Sequence, residues 1–226
     1  MAARPSSQAA LTESTSQNVA EIGEVMGDLV DEPLEHEAGA EAPPAALLAR
    51  PLVLVGLMGA GKSSIGRRLA HRFGVAFADA DTEIEKAAGR TIPEIFEAFG
   101  EEEFRNGERR VIRRLIESGG PRVLATGGGA FMADDTRALI KAEATSLWLK
   151  ADFETLFERV SKRSNRPLLK TADPKATLRD LMQKRYPIYG EADLVVETQR
   201  VPIEETVDKV YHAVLDHLAR EATPYP

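Results

Sequence analysis

The chain has 226 residues, 43% hydrophobic and 29% charged, which suits a globular protein with one well-filled domain and some chain to spare. It contains no cysteine, which excludes disulfide frameworks, cysteine-based zinc sites and thiol catalysis, and no run approaches the ~18 apolar residues of a membrane helix. The net charge of −7 is uneven: residues 1–47 carry one base, Arg4, against nine acids, while the remainder holds 28 bases and 27 acids and so has no strong field for nucleic acid.

Residues 1–47 are rich in Ala, Glu and Ser and lack aromatic residues. Such a segment buries too little apolar surface to offset its ordering entropy, so a disordered acidic tail is expected there. Ala42-Pro43-Pro44-Ala45 reads as a stiff linker into the core. The first residues show no apolar signal core, and the expected location is cytoplasmic. The folded domain is expected over residues 48–220, with a short C-terminal tail at 221–226.

From Pro51 onward, short apolar runs alternate with helical patterns. The runs are Leu52–Val55, Val75–Ala78, Val123–Ala125, Ser146–Leu149 and Leu194–Val196. This alternation predicts an α/β fold, a parallel sheet with helices on both faces. The first run feeds Gly56-Leu57-Met58-Gly59-Ala60-Gly61-Lys62-Ser63, which matches G-x-x-x-x-G-K-[ST]. Glycines let the backbone wrap closely, with its N–H groups aimed at phosphates. The phosphate site is therefore expected at Gly59, Ala60, Gly61, Lys62, Ser63 and Ser64. Lys62 supplies a cation for the outer phosphates, and Ser63 offers a hydroxyl to Mg²⁺. Ile65, Leu69 and Phe73 then recur every four residues, so a helix starts here with its positive dipole end on the same anion.

The second run ends in Asp79-Ala80-Asp81. If the strand continues, the two carboxylates point the same way at the end where open α/β sheets bind ligands. One then serves the Mg²⁺ shell and the other faces the acceptor; alternatively, Asp81 simply caps the helix that follows. Thr91-Ile92-Pro93-Glu94 opens a short helix that Gly100 ends, and a longer one runs through Glu101–Ser118. On it Arg105 and Glu108 share a face, as a surface ion pair would. Arg109, Arg110, Arg113 and Arg114 are expected to be solvated. After the third run, Gly127-Gly128-Gly129 permits close approach of backbone to a ligand. Trp148 in the fourth run reads as a packing residue. The basic stretch Ser161–Leu169, within a segment of about residues 161–172, reads as a lid that delivers Arg166 to phosphates. Asp173-Pro174 caps a further helix, and Pro202 opens a last amphipathic one carrying Val207, Val210, Val214 and Leu218.

In this order the motifs resemble the shikimate kinase family over roughly residues 51–215. The carrying pieces are the loop Gly56–Ser63 with Met58, Phe77–Glu85 (F-x-D-x-D-x-x-I-E), Phe104–Glu108 (F-R-x-x-E), Gly127–Gly129, Arg166-Pro167-Leu168-Leu169 and Arg185–Tyr189 (R-x-P-x-Y). The resemblance implies a P-loop fold like that of nucleoside monophosphate kinases. It would have a five-stranded parallel sheet, a small acceptor-binding subdomain at about residues 81–110, and a lid. It also implies transfer of the γ-phosphoryl of ATP to the 3-hydroxyl of shikimate, with Mg²⁺, by a cytoplasmic monomer without nucleic-acid or membrane partners. By position, Asp81 would contact the acceptor hydroxyls and accept the proton, while Ser63 and Asp79 would hold Mg²⁺. Arg105 and Arg185 would bind the shikimate carboxylate, Gly128 would meet the acceptor by its backbone, and Arg166 would reach the phosphates from the lid.

Three features depart from the pattern or stay open. The adenine-stacking arginine is Arg159 or Arg163, the register of Thr198–Val201 near adenine is not fixed, and Gly107 sits unexplained inside a helix. The rival readings are a kinase of another small polyol acid, such as gluconate, and a non-catalytic ATP sensor. The combination of Asp79, Asp81, Arg105 and Arg185 speaks against the first. An acidic tail without a helix-turn-helix pattern speaks against a DNA-binding form of the second.

Overall fold

Five short strands hydrogen-bond in parallel in the order β2-β3-β1-β4-β5. The structure, a computed structural model, describes residues 48–120, 122–162 and 173–222. The strands are β1 (Leu52–Val55), β2 (Ala76–Asp79), β3 (Arg122–Ala125), β4 (Thr145–Ala151) and β5 (Leu194–Thr198). The helices are α1 (Lys62–Phe73), α2 (Ala80–Ala88), α3 (Ile92–Glu117), α4 (Asp134–Glu143), α5 (Phe153–Ser161), α6 (Pro174–Tyr189) and α7 (Ile203–Ala222). A 3₁₀ turn covers Ala130–Met132.

All four residues of β1 are buried, as a central strand covered on both faces requires. Leu54 pairs with Ala125 on one side and with Leu147 on the other. On α1, the stripe Ile65, Leu69 and Phe73 is buried as its spacing predicts. Gly66 sets how closely α1 lies on the sheet: a Cβ there would stand 2.7 Å from the Phe77 ring and 3.0 Å from Leu54 Cδ1. Phe73 meets Tyr211 of α7 at 4.7 Å between ring centroids.

Strand boundaries shift slightly from the apolar runs. Val75 remains part of the turn after α1, donating its N–H to Ala70 O at 2.9 Å, so β2 starts at Ala76. β4 extends to Ala151 because pairing with β5 continues past the apolar run, through Lys150 opposite Glu197 and Ala151 opposite Thr198. Gly100 divides α3 at φ 80 and ψ 177, so the two predicted helices meet end to end at a kink. Thr91 and Glu94 form a reciprocal cap at its start, where Thr91 N–H donates to Glu94 Oε2 at 2.7 Å. Asp173 caps α6 by accepting from Ala176 N–H at 2.9 Å. α7 runs through Ala222, two residues beyond the expected domain end. The expected tail at 1–47 lies outside the described residues, as does the lid segment from residue 163 to 172. Among the described residues no helix is long and apolar enough to cross a membrane.

This topology assembles one rim. The segments after β1, β2, β3, β4 and β5 all leave the sheet at the carboxyl ends of its strands. Those segments are the glycine loop, Asp79–Asp81, Gly127–Gly129, the start of α5, and Gln199–Val201. In an open α/β sheet, ligands bind at that rim near the point where the strand order reverses.

Candidate active site

The loop after β1 is shaped by glycine conformation. Gly59 and Gly61 adopt φ of 84 and 99, which side-chain-bearing residues rarely adopt. Gly61 is the N-cap of α1, with no side-chain cap and no acid in the first turn. Ile65 N–H is the donor that reaches back to Gly61 O, at 2.8 Å. The amides of Lys62, Ser63 and Ser64 thus precede the hydrogen-bonded ladder at the positive end of the helix, where an anion binds. Lys62 is 9% exposed, and its Nζ lies over the loop, donating to Gly56 O at 2.7 Å and Leu57 O at 3.0 Å.

Asp79 and Asp81 require a correction. They do not share a strand face, because β2 ends at Asp79 and α2 begins at once. Asp79, not Asp81, is the helix cap: its Oδ1 accepts from Asp81 N–H at 3.1 Å. The two carboxylates nonetheless reach different neighbours. Asp79 Oδ2 accepts from Ser63 Oγ at 2.5 Å, which ties the second strand to the phosphate loop. Asp81, in the first helical turn, points to the glycines after β3. Among the described residues no group of three or more His, Asp or Glu gathers as a metal cage. The Ser63 hydroxyl and the Asp79 carboxylate are oxygen donors of the kind Mg²⁺ takes.

The pair Arg105–Glu108 also departs from expectation, since it is not a surface pair. Glu108 is 2% exposed, and its Oε2 accepts from Arg105 Nη1 at 2.7 Å. Burial raises the Glu108 pKa and outweighs the opposing pull of Arg105; the neighbouring Asp81 carboxylate raises it further. Glu108 Oε1 has no hydrogen-bond partner among the described residues. Of the other arginines of α3, Arg110, Arg113 and Arg114 are exposed as expected, with Arg113 on Glu117 at 3.1 Å, while Arg109 is half-buried near Asp135 at 3.5 Å.

Gly127–Gly129 is where these groups meet. None of the three has a positive φ, so backbone freedom is not what selects glycine here. Space is. A Cβ on Gly127 would lie 2.7 Å from Glu108 Oε1 and 2.9 Å from Asp81 Oδ1. One on Gly129 would lie 2.6 Å from Arg105 Nη1. Gly128 O accepts from Arg185 Nη1 at 2.8 Å and also from the Tyr189 hydroxyl. Three elements thus bring Asp81, Arg105 and Arg185 around three bare α-carbons. No local pattern gives Tyr189 a role, and only its place in R-x-P-x-Y marks it.

A cavity of about 550 Å³ is lined by the phosphate loop, Asp79, Asp81, Gly127, Gly128 and Arg159. Arg159 on α5 donates to Gly59 O at 3.3 Å and to Gln199 O at 3.2 Å, bridging the phosphate loop and the segment after β5. Val201 of that segment lines the same cavity. Arg163 and Arg166 lie outside the described residues.

Comparison with known proteins places most of the described domain beside one family. Residues 58–215 match the family model described as shikimate kinase. The shikimate kinase of Rhodopseudomonas palustris is 55% identical over 182 residues, covering 80% of this chain and 89% of that protein. The shikimate kinase of Nitrobacter winogradskyi is 58% identical over 165 residues, 73% of this chain and 77% of that one. Among solved structures, the Acinetobacter baumannii shikimate kinase in complex with shikimate has a TM-score of 0.72 at 38% identity, covering 76% of this chain and 98% of that chain. A Sinorhizobium meliloti gluconokinase has a TM-score of 0.52 at 20% identity over 77% of this chain and 94% of that chain, which speaks for the shared fold alone. With more than half its length in the family model and the phosphate loop, aspartates, arginines and glycine triplet assembled on one rim, the chain belongs to the shikimate kinase family.

Proposed function

We propose that this chain transfers the γ-phosphoryl group of ATP to the 3-hydroxyl of shikimate, a step toward chorismate and the aromatic amino acids. The observation that carries the reading is the convergence of Asp81, Arg105 and Arg185 on Gly127–Gly129, beside a phosphate loop. Shikimate is a small anionic polyol. Two guanidinium groups suit its carboxylate, and a carboxylate suits its hydroxyls. The complex of the Acinetobacter baumannii relative with shikimate supports the same assignment.

In this reading, the loop from Gly59 to Ser64 cradles the ATP phosphates with backbone N–H groups, and Lys62 moves from its carbonyls to the phosphate oxygens. Ser63 and Asp79 hold Mg²⁺, which neutralises phosphate charge when bound. Arg105 and Arg185 fix the acceptor carboxylate, so the 3-hydroxyl lies between Asp81 and the γ-phosphate. The hydroxyl oxygen attacks phosphorus as the bond to the bridging oxygen of ADP breaks, and Asp81 takes the proton. Positioning and charge provide most of the rate in such transfers. Arg166 is assigned to the phosphates from the lid, and Arg159 to the adenine side, where it already bridges Gly59 and Gln199. The chain acts as a cytoplasmic monomer on small molecules.

The test is ADP release from Mg·ATP with shikimate, quinate, gluconate or no acceptor. Shikimate should exceed the others by at least roughly tenfold, about 1.4 kcal/mol of barrier. Equal release with all four would contradict the proposal and favour an ATP sensor.

A further inference from the structure

Tyr189 is fully buried at the end of α6, in a cluster of rings with Trp148 at 5.9 Å, Tyr186 at 6.3 Å and Phe131 at 6.5 Å between centroids. A buried phenol needs a partner for its hydroxyl, and this one donates to the carbonyl oxygen of Gly128. Arg185, one helical turn earlier, donates to the same oxygen at 2.8 Å. The two residues therefore fill both lone pairs of one carbonyl in the glycine triplet. The Gly128–Gly129 peptide is planar, so fixing the oxygen also fixes the direction of the Gly129 N–H. A run of three glycines has more backbone freedom to lose than any other tripeptide, and an anchor matters most there.

We propose that Tyr189 is a positioning residue for acceptor binding, whose hydroxyl anchors the Gly128 carbonyl and, with it, orients the Arg185 guanidinium toward the acceptor carboxylate. Arg185 has five N–H donors; one goes to the loop carbonyl, and the guanidinium also lies within hydrogen-bond reach of the Tyr189 hydroxyl. With the phenol in place, α6 holds the loop at two points, and the guanidinium plane is set by the loop as well as by the acceptor. Without it, Arg185 is the loop's remaining side-chain anchor on this carbonyl and must hold loop and ligand together. Burial raises the Tyr189 pKa, so the phenol stays a donor over the working pH range. The inference rests on the acceptor assignment proposed above.

Tyr186 supplies the control. It lies in the same ring cluster, 4.9 Å from Trp148, but its hydroxyl donates to Ala151 O at the end of β4 and not to the glycine loop. Tyr189→Phe and Tyr186→Phe each remove one buried hydroxyl and keep the ring. Steady-state kinetics of the full chain should show the KM for shikimate rising about tenfold in Tyr189→Phe, with kcat within about threefold and the KM for ATP within about twofold. Tyr186→Phe should leave the KM for shikimate within about twofold even if its melting temperature falls as far. An unchanged shikimate KM in Tyr189→Phe overturns the inference. So does an equal rise for ATP, an equal rise in Tyr186→Phe, or a Tyr189→Phe chain that fails to fold, because each assigns the hydroxyl to general stability. Wild-type turnover indifferent to shikimate refutes the acceptor assignment itself, and this inference with it. A shikimate-dependent wild type with an unaffected Tyr189→Phe refutes the inference alone.

Discussion

Replacing Gly127 with alanine tests whether the glycine triplet exists to admit the side chains around it. The backbone there is not in the left-handed region, so alanine brings no conformational penalty of its own. The methyl would stand 2.7 Å from Glu108 Oε1 and 2.9 Å from Asp81 Oδ1, each roughly half an ångström or more inside ordinary contact. Glu108 is buried and held by Arg105, so Asp81, at the cavity, is the group that yields. Overpacking of this kind costs about 1–3 kcal/mol, and the low end applies where a side-chain end can shift. The larger effect falls on chemistry, because a displacement approaching 1 Å at the reacting groups lowers the rate about a hundredfold. Gly127→Ala should thus lose ~100-fold in kcat while the affinity for ATP, measured by calorimetry, stays within about twofold. A kcat within about threefold of wild type would refute the claim that the bare α-carbon positions Asp81.

Other outcomes follow from the same geometry. Asp81→Asn should abolish turnover and leave ATP binding largely intact, since the proposed mechanism gives Asp81 the acceptor and not the nucleotide; loss of ATP binding would mean the site is misassigned. Glu108 has its pKa raised on folding, chiefly by burial. Its contribution to stability is therefore greatest below its unfolded pKa of about 4.3 and is lost as pH rises through the folded value. Unfolding titrations of wild type and Glu108→Gln should show the wild type losing ground to the variant over that rising window, and parallel pH profiles would contradict the shift. Gly107 lies within α3 with open space where a Cβ would sit and no positive φ. Gly107→Ala should raise stability by about 1 kcal/mol in denaturant unfolding, and a destabilised variant would reveal a role for the glycine that the helix does not show.

Much of the fold is legible in the chain because it is local. The run Leu52–Val55, the four-residue stripe Ile65, Leu69, Phe73, the Thr91–Glu94 cap and the break at Gly100 each depend on neighbours a few residues away. The phosphate loop is legible for the same reason. What the sequence does not display is which exposed-looking charge becomes buried. Glu108 follows Arg105 at helical spacing, just as a surface pair would, and only β3 delivering Gly127 against it makes it a core residue. The purpose of Gly127 and Gly129 is hidden likewise, since the atoms they make room for come from α2 and α3. Asp79 and Asp81 show the limit from the other side. Their two-residue spacing predicts a common strand face, yet the chain turns helical between them, and they reach their partners through a cap and a first helical turn. Tyr189 is 61 residues from the Gly128 carbonyl it holds, a separation no local pattern reports.

The most direct test of the site is a crystal structure of the chain with shikimate and ADP. The account predicts the shikimate carboxylate between Arg105 and Arg185, and a ring hydroxyl about 2.6–3.2 Å from Asp81 on the side facing the phosphate loop. A carboxylate bound away from both arginines, or a ring whose hydroxyls point away from Asp81, would contradict it.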